Sequence, residues 1–218
     1  MDRVLERELM DDEAQVAAYV AADFSASNQS FADVVTAALP SGPHTAVDLG
    51  CGPADVLVRI ARAAPFLHLT GLDGSGPMLA RARHAVGAAG IEDRVALIEG
   101  LIPSDRLPSA SFDLVLSKDV LHHLPDPAVL WTEVRRLARP GARVCVMDLM
   151  LSPSAEAARE LVERVVGDAD PILQEDFYNS LFAAFTPEEV EAQLARAGLS
   201  LRVAAVSERH MLIEGRLA

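Results

Sequence analysis

The sequence is short of basic residues, aromatics and cysteine. Lys and Arg total 19 against 32 Asp and Glu, a formal net charge of −13 over 218 residues. Binding a nucleic-acid backbone requires clustered cations. No basic stripe occurs, which argues against nucleic acid and against an anionic membrane surface as partners. The acidity names no substrate; its plainest effect is solubility. No apolar run is long enough to span a bilayer. The start, MDRVLERELMDDE, is charged where a signal peptide would carry an apolar core, so a cytoplasmic protein is expected. The two cysteines, Cys51 and Cys145, stand in apolar or Gly-rich contexts and are expected to be reduced and packed. Six His and two Cys show no ligand spacing, so no metal is expected. Internal repeats and low-complexity segments are missing too.

What is present is a chain that is half apolar and long enough for one sizeable core. Residues 1–40 read as helical. DDEAQVAAYVAADF offers Asp11 or Asp12 as a cap, and SNQSFADVVTAAL repeats the helical spacing. PSGPH, 40–44, is a turn cluster. The period then changes. Strands are expected at 45–50, 68–73, 94–100, 112–117 and 142–150, with helices at 55–64, 76–90 and 126–141. Two further helices follow within about 151–185, and another at 186–198 is framed by Thr186, Pro187 and Gly198. LSLRVAAVSERHMLIEG gives two strands around a turn too short for a crossover, hence antiparallel. The expected fold is α/β: a three-layer sandwich around a seven-stranded, mostly parallel sheet with one antiparallel strand. Residues 1–40 would form a helical lid on a domain spanning 41–218, with a helical cover at about 151–185.

The most telling stretch is AVDLGCGPADVLVRIARA, 46–63, where a strand hands over to a helix through glycines. Gly50 and Gly52 let the backbone turn tightly and leave room for a ligand, and the next helix points its N–H groups back at it. A dinucleotide-binding loop would read G-x-G-x-x-G; the sixth position here is Asp55, which weakens an NAD-dependent dehydrogenase reading.

Asp48-Leu49-Gly50-Cys51-Gly52 resembles the first signature of the class I S-adenosylmethionine (SAM) dependent methyltransferases. LDGSGPML resembles their second. SFDLVLSKDVLHHLPDP and RRLARPGARVCVMD are similar to the fourth- and fifth-strand segments of their small-molecule members. The resemblance runs from about Thr45 to the C-terminus. It implies a SAM site: Asp48 toward the ammonium of the amino-acid tail, Gly50, Cys51 and Gly52 along the loop, and Asp73 on the ribose hydroxyls. Gly74 would follow the ribose, Met78, Leu101 and Ile102 would lie by the adenine, and Ser117 and Lys118 beneath the methionine part. Pro53-Ala54 stands where many members have a third glycine. Leu101-Ile102 stands where many have an adenine-binding Asp, so apolar and backbone contacts, or Asp105, would take that role. The amino-base methylating subclass has an Asn/Asp-Pro-Pro-aromatic tetrad where this chain has Ser117-Lys118-Asp119-Val120.

The implied reaction is in-line displacement onto a small molecule, with positioning as the main contribution of the protein. Candidates for chemistry are His122, His123, Asp148 and Tyr178; each also has a structural reading as packing, strand end or cap. Tyr19, Phe24 and Asn28 are candidates for the lid, and Asn179 and Ser180 for the acceptor pocket. A monomer or homodimer is expected. Two alternatives keep SAM: attack on or transfer of its aminobutyl arm, releasing methylthioadenosine, and a regulatory SAM-binding domain.

Overall fold

A computed structural model describes residues 3–6, 9–37, 39 and 44–218. Apart from His44, and Leu39 just before it, the expected turn cluster and the 40/41 domain boundary lie outside the described residues. The helices are α1 (Glu13–Ala21), α2 (Ser25–Thr36), α3 (Asp55–Ala63), α4 (Gly76–Ala89), α5 (Ala128–Leu137), α6 (Ala155–Val166), α7 (Pro171–Ala183) and α8 (Pro187–Ala197). The strands are β1 (His44–Leu49), β2 (Leu67–Asp73), β3 (Val95–Glu99), β4 (Phe112–Lys118), β5 (Ala138–Leu149), β6 (Arg202–Ala205) and β7 (His210–Arg216). They form one sheet in the order β3-β2-β1-β4-β5-β7-β6. Every pairing is parallel except those of β7, which runs against both β5 and β6.

Side chains of the buried strands alternate between two cores, as the pleat requires. Leu114, Leu116, Cys145 and Met147 face α2, α3 and α4. Val115, Val144, Val146 and Ile213 face α5 and α8. A third cluster joins Ala18 of α1 to Leu161 of α6 and to Phe177 and Leu181 of α7, against Leu149 at the end of β5. It sits over the carboxyl end of the sheet, where the helical cover was expected. α2 belongs instead to the main sandwich: Phe31 and Val35 are fully buried in its core, and Arg143 donates to the Val34 and Val35 carbonyls.

Local signals set most element ends. Asp12 caps α1 through Ala14 N at 2.8 Å. Thr186 and Glu189 form a reciprocal capping box, and Gly90 and Gly198 end their helices in the left-handed conformation. One boundary differs from expectation. The helix expected to reach 141 ends at Leu137, and β5 begins at once, with Ala138 opposite Phe112. Pro140 disfavours helical geometry at Arg139 and offers no N–H. Gly141, at φ +78°, is the turn of a register shift, not a helix stop. Among the described residues no helix is long and apolar enough to cross a membrane. Both cysteines are buried and unpaired.

Candidate active site

The strand order reverses between β1 and β4, and in open parallel sheets the crevice beyond the carboxyl ends at that point binds ligands. The β1–α3 loop begins there. Gly50, at φ +78°, presses so closely on β4's exit that a Cβ would fall 2.2 Å from Val120 Cγ2. Gly52, at φ +51°, has the opposite surroundings: a Cβ there would meet nothing within 4 Å. The loop is pinned by Gly50 N and Cys51 N, both donating to the Leu72 carbonyl.

Asp73 ties this loop to the next. One carboxylate oxygen accepts from Gly52 N at 2.7 Å and the other from Ser75 N at 2.8 Å. Burial raises its pKa against the lowering effect of those two bonds. Each oxygen retains a lone pair for a further donor. Asp48 lies behind the loop at 2% exposure, and its Oδ1 is buried without a hydrogen-bond partner. Burial, with the charge of Asp73 added, pushes its carboxyl up to about 7, while Lys118 opposes the shift.

A first cavity of about 820 Å³ opens over Asp73. Gly50, Gly52, Gly74, Met78, Leu101, Ile102 and Lys118 also line it. Asp48, Cys51 and Ser117 do not. The Cys51 sulfur packs toward Gly71, and Ser117 Oγ donates to the Leu49 carbonyl at 2.9 Å, joining β4 to β1. Asp105 is exposed and outside the lining, and Met78, Leu101 and Ile102 give that cavity an apolar wall.

A second cavity of about 950 Å³ lies between α1, α7 and the short 3-10 turn Leu121–His123. Tyr19, Phe24, Asn179, Ser180, His122 and His123 line it. Three candidates are elsewhere. Asn28 donates to Asp55 at 2.8 Å and joins α2 to α3. The Tyr178 ring packs on Phe182, 5.0 Å away, outside the lining. Asp148, 1% exposed, is fully engaged. It accepts from Val120 N, Leu121 N and Leu149 N, and its Oδ1 is 2.7 Å from His122 Nδ1. It holds the 3-10 turn and orients His122. Burial lowers the His122 pKa, but Asp148, Glu6 and Asp119 together outweigh it and the net shift is upward.

Several lining residues carry no sequence signal for this role. Leu9 and Met10 border both cavities, and Gln15 and Asp176 meet across the second, at 3.2 Å. The hairpin turn at β7 contributes Arg209 and His210. Asp119, at φ +56°, is bonded to Lys118 Nζ and lies 3.4 Å from His210 Nε2. Burial raises its pKa, yet Lys118 and His210 together hold it well below the ordinary value. Glu6 reaches in from the chain start, with Oε1 at 3.0 Å from His123 Nδ1 and 3.5 Å from His122 Nε2. Its segment is held by Arg3, which donates to the carbonyls of Ala183, His122 and Leu124 and stacks over Phe185.

These groups fit SAM. The unpartnered Asp48 oxygen suits a cationic tail, the open space at Gly52 suits close approach of a ligand, and Asp73 suits a diol. Leu101 is 59% exposed at the cavity rim, an apolar wall for a base. The comparisons agree. A family model described as a methyltransferase domain matches residues 47–146. A 27-O-demethylrifamycin SV methyltransferase of Amycolatopsis mediterranei is 30% identical over 153 residues, covering 70% of this chain and 53% of the relative. A demethylmenaquinone methyltransferase of Thermus thermophilus is 28% identical over 178 residues, covering 77% and 80%. The chain thus spans only about half the length of several curated relatives. The structure of a SAM-dependent methyltransferase from Aquifex aeolicus superposes with a TM-score of 0.71 at 17% identity, covering 95% of this chain and 99% of that one, a likeness of fold. Loop, sheet order and family match agree: residues 47–146 form a methyltransferase domain, and the chain is similar to SAM-dependent methyltransferases over most of its length.

Proposed function

We propose that the protein transfers the methyl group of SAM to a hydroxyl of a small, ring-bearing molecule held in the second cavity. One observation carries this reading: the two cavities are adjacent, and Leu9, Met10, Tyr19, Lys118, Asp119 and His123 border both. SAM in one and an acceptor in the other meet across these shared residues. The walls of the second cavity are largely apolar, with Phe24, Leu149, Leu173 and Phe177, and its polar groups gather around Glu6, His122 and His123. That pattern suits an apolar body carrying a polar reacting group. The rifamycin relative is named for an oxygen acceptor and the menaquinone relative for a quinone-related one, which supports a ring-bearing acceptor.

SAM supplies an electrophilic methyl on a sulfonium. Asp73 takes the ribose hydroxyls, and Asp48 lies toward the positive end of the tail. The acceptor's oxygen attacks in line from the side of the second cavity that holds Glu6, His122 and His123, and its proton passes to solvent. The segment through α1, together with α6 and α7, excludes water from the meeting point.

Mass spectrometry after incubation with SAM and a panel of phenols, quinols and hydroxylated macrocycles tests this. S-adenosylhomocysteine appearing only with an acceptor is the expected result. Methylthioadenosine without an acceptor would overturn it in favour of aminobutyl chemistry. SAM binding with no turnover across the panel would favour a regulatory domain.

A further inference from the structure

The polar corner of the second cavity has an arrangement that methyl transfer alone does not require. Glu6, His122 and His123 each present one ligand-type atom, all within 4.8 Å of one another. Glu6 Oε1 lies 3.0 Å from His123 Nδ1 and 3.5 Å from His122 Nε2. Metal–ligand bonds of about 2.0–2.2 Å place neighbouring ligands of a tetrahedral or octahedral shell roughly 3–3.5 Å apart, and both contacts fall in that range. Despite its proximity to Glu6, His123 Nδ1 is buried with no hydrogen-bond partner.

The surroundings also match a metal centre. His122 Nδ1 lies 2.7 Å from Asp148 Oδ1. Asp148 already accepts three backbone N–H groups, and its Oδ1 is placed to accept the Nδ1 proton as well. That leaves the lone pair of His122 on Nε2, aimed at Glu6. Metal-bound histidines almost always donate their other N–H to such a partner. Ser180 Oγ fixes the Glu6 carboxylate, at 3.0 and 3.2 Å. Two imidazoles and one carboxylate suit zinc, iron, cobalt or nickel rather than magnesium or calcium.

We propose that Glu6, His122 and His123 bind one divalent transition-metal ion, with its open coordination positions facing the second cavity. The ion joins the chain start to the 3-10 turn and fixes the Arg3–Glu6 segment over the pocket. A second part of the proposal rests on the methyltransferase reading: the acceptor is a molecule whose hydroxyl oxygen coordinates this ion. Coordination releases the hydroxyl proton to solvent. The resulting oxygen attacks the methyl carbon as the carbon–sulfur bond breaks and its electron pair passes to sulfur. The methyl ether formed is a weak ligand and leaves.

The test starts with the whole chain, stripped by chelator and titrated with Co²⁺, then Zn²⁺, without SAM. The expected result is one ion per chain by equilibrium dialysis and metal analysis. Visible cobalt bands should appear and Zn²⁺ should displace them, while Mg²⁺ at the same concentration should not. Glu6→Gln and His123→Ala should each weaken binding at least about 100-fold, with melting curves confirming that both variants fold. Absence of a stoichiometric cobalt site in the wild-type chain would overturn the proposal without recourse to any variant. The three groups would then be an ion pair between Glu6 and a protonated histidine. SAM binding is read separately by calorimetry. Metal binding without SAM binding would leave the ion site standing and defeat the acceptor part. SAM binding without metal would defeat the site and leave methyl transfer intact.

Discussion

Asp73 does two jobs with one carboxylate. It fixes the glycine loop through Gly52 N and the start of α4 through Ser75 N, and it faces the first cavity. Hydrogen bonds to a charged group are worth about 1.5–3 kcal/mol each. Asp73→Ala should therefore cost SAM about 3 kcal/mol, roughly a hundredfold in Kd, measured by calorimetry. Asp48 gives a pH dependence of definite sign. Its folded-state pKa of about 7 is raised above the ordinary carboxylate value, so the folded chain holds a proton that the unfolded chain has released. Stability from this group is present at low pH and is lost as pH rises through about 7. A cationic ligand favours the ionised form, so SAM should bind more tightly across the same rise and expel a proton. Calorimetry in two buffers of different ionisation enthalpy checks this; a buffer-independent heat near neutral pH would refute it, and Asp48→Asn should abolish the effect. Both carboxylates were legible in the sequence because each ends or nearly ends an apolar strand before a glycine. Glu6, Asp119, Asp176 and His210 were not. Their neighbours in sequence are ordinary, and only tertiary packing carries them to the cavity.

Elements were legible wherever capping chemistry spoke. Asp12, Ser75 and Thr186 start helices as their side chains dictate. Where two signals competed, the nearer one won: Pro140 stopped α5 before Gly141 could. Residues 1–40 read as helical in the sequence, but the segment Arg3–Glu6 is neither helix nor strand. Its anchor is one guanidinium on three carbonyls. Arg3→Ala should release this segment and, with it, the Leu9 and Met10 walls of both cavities. The KM values for SAM and acceptor should then rise together, each by about tenfold for about 1.4 kcal/mol lost. A change in only one of them, by steady-state kinetics, would show that the segment guards a single cavity.

At the scale of the molecule, alternation of strands and helices revealed the layers and the reversed strand, but not the depth of any residue in the stack. The core opposite the cavities shows the difference. Trp131 of α5 donates to Gln193 of α8 at 2.9 Å, both fully enclosed. Trp131→Phe leaves the Gln193 oxygen unpaired, at about 1–3 kcal/mol, plus the cost of lost volume. A lower Tm with unchanged SAM affinity is expected. The six residues shared by the two cavities have a different consequence. A ligand that orders Leu9, Met10 and Tyr19 from one side has already met the ordering cost for a ligand arriving on the other. The two substrates are therefore thermodynamically linked. Whatever factor SAM lends to the affinity of the acceptor, the acceptor must return to SAM unchanged.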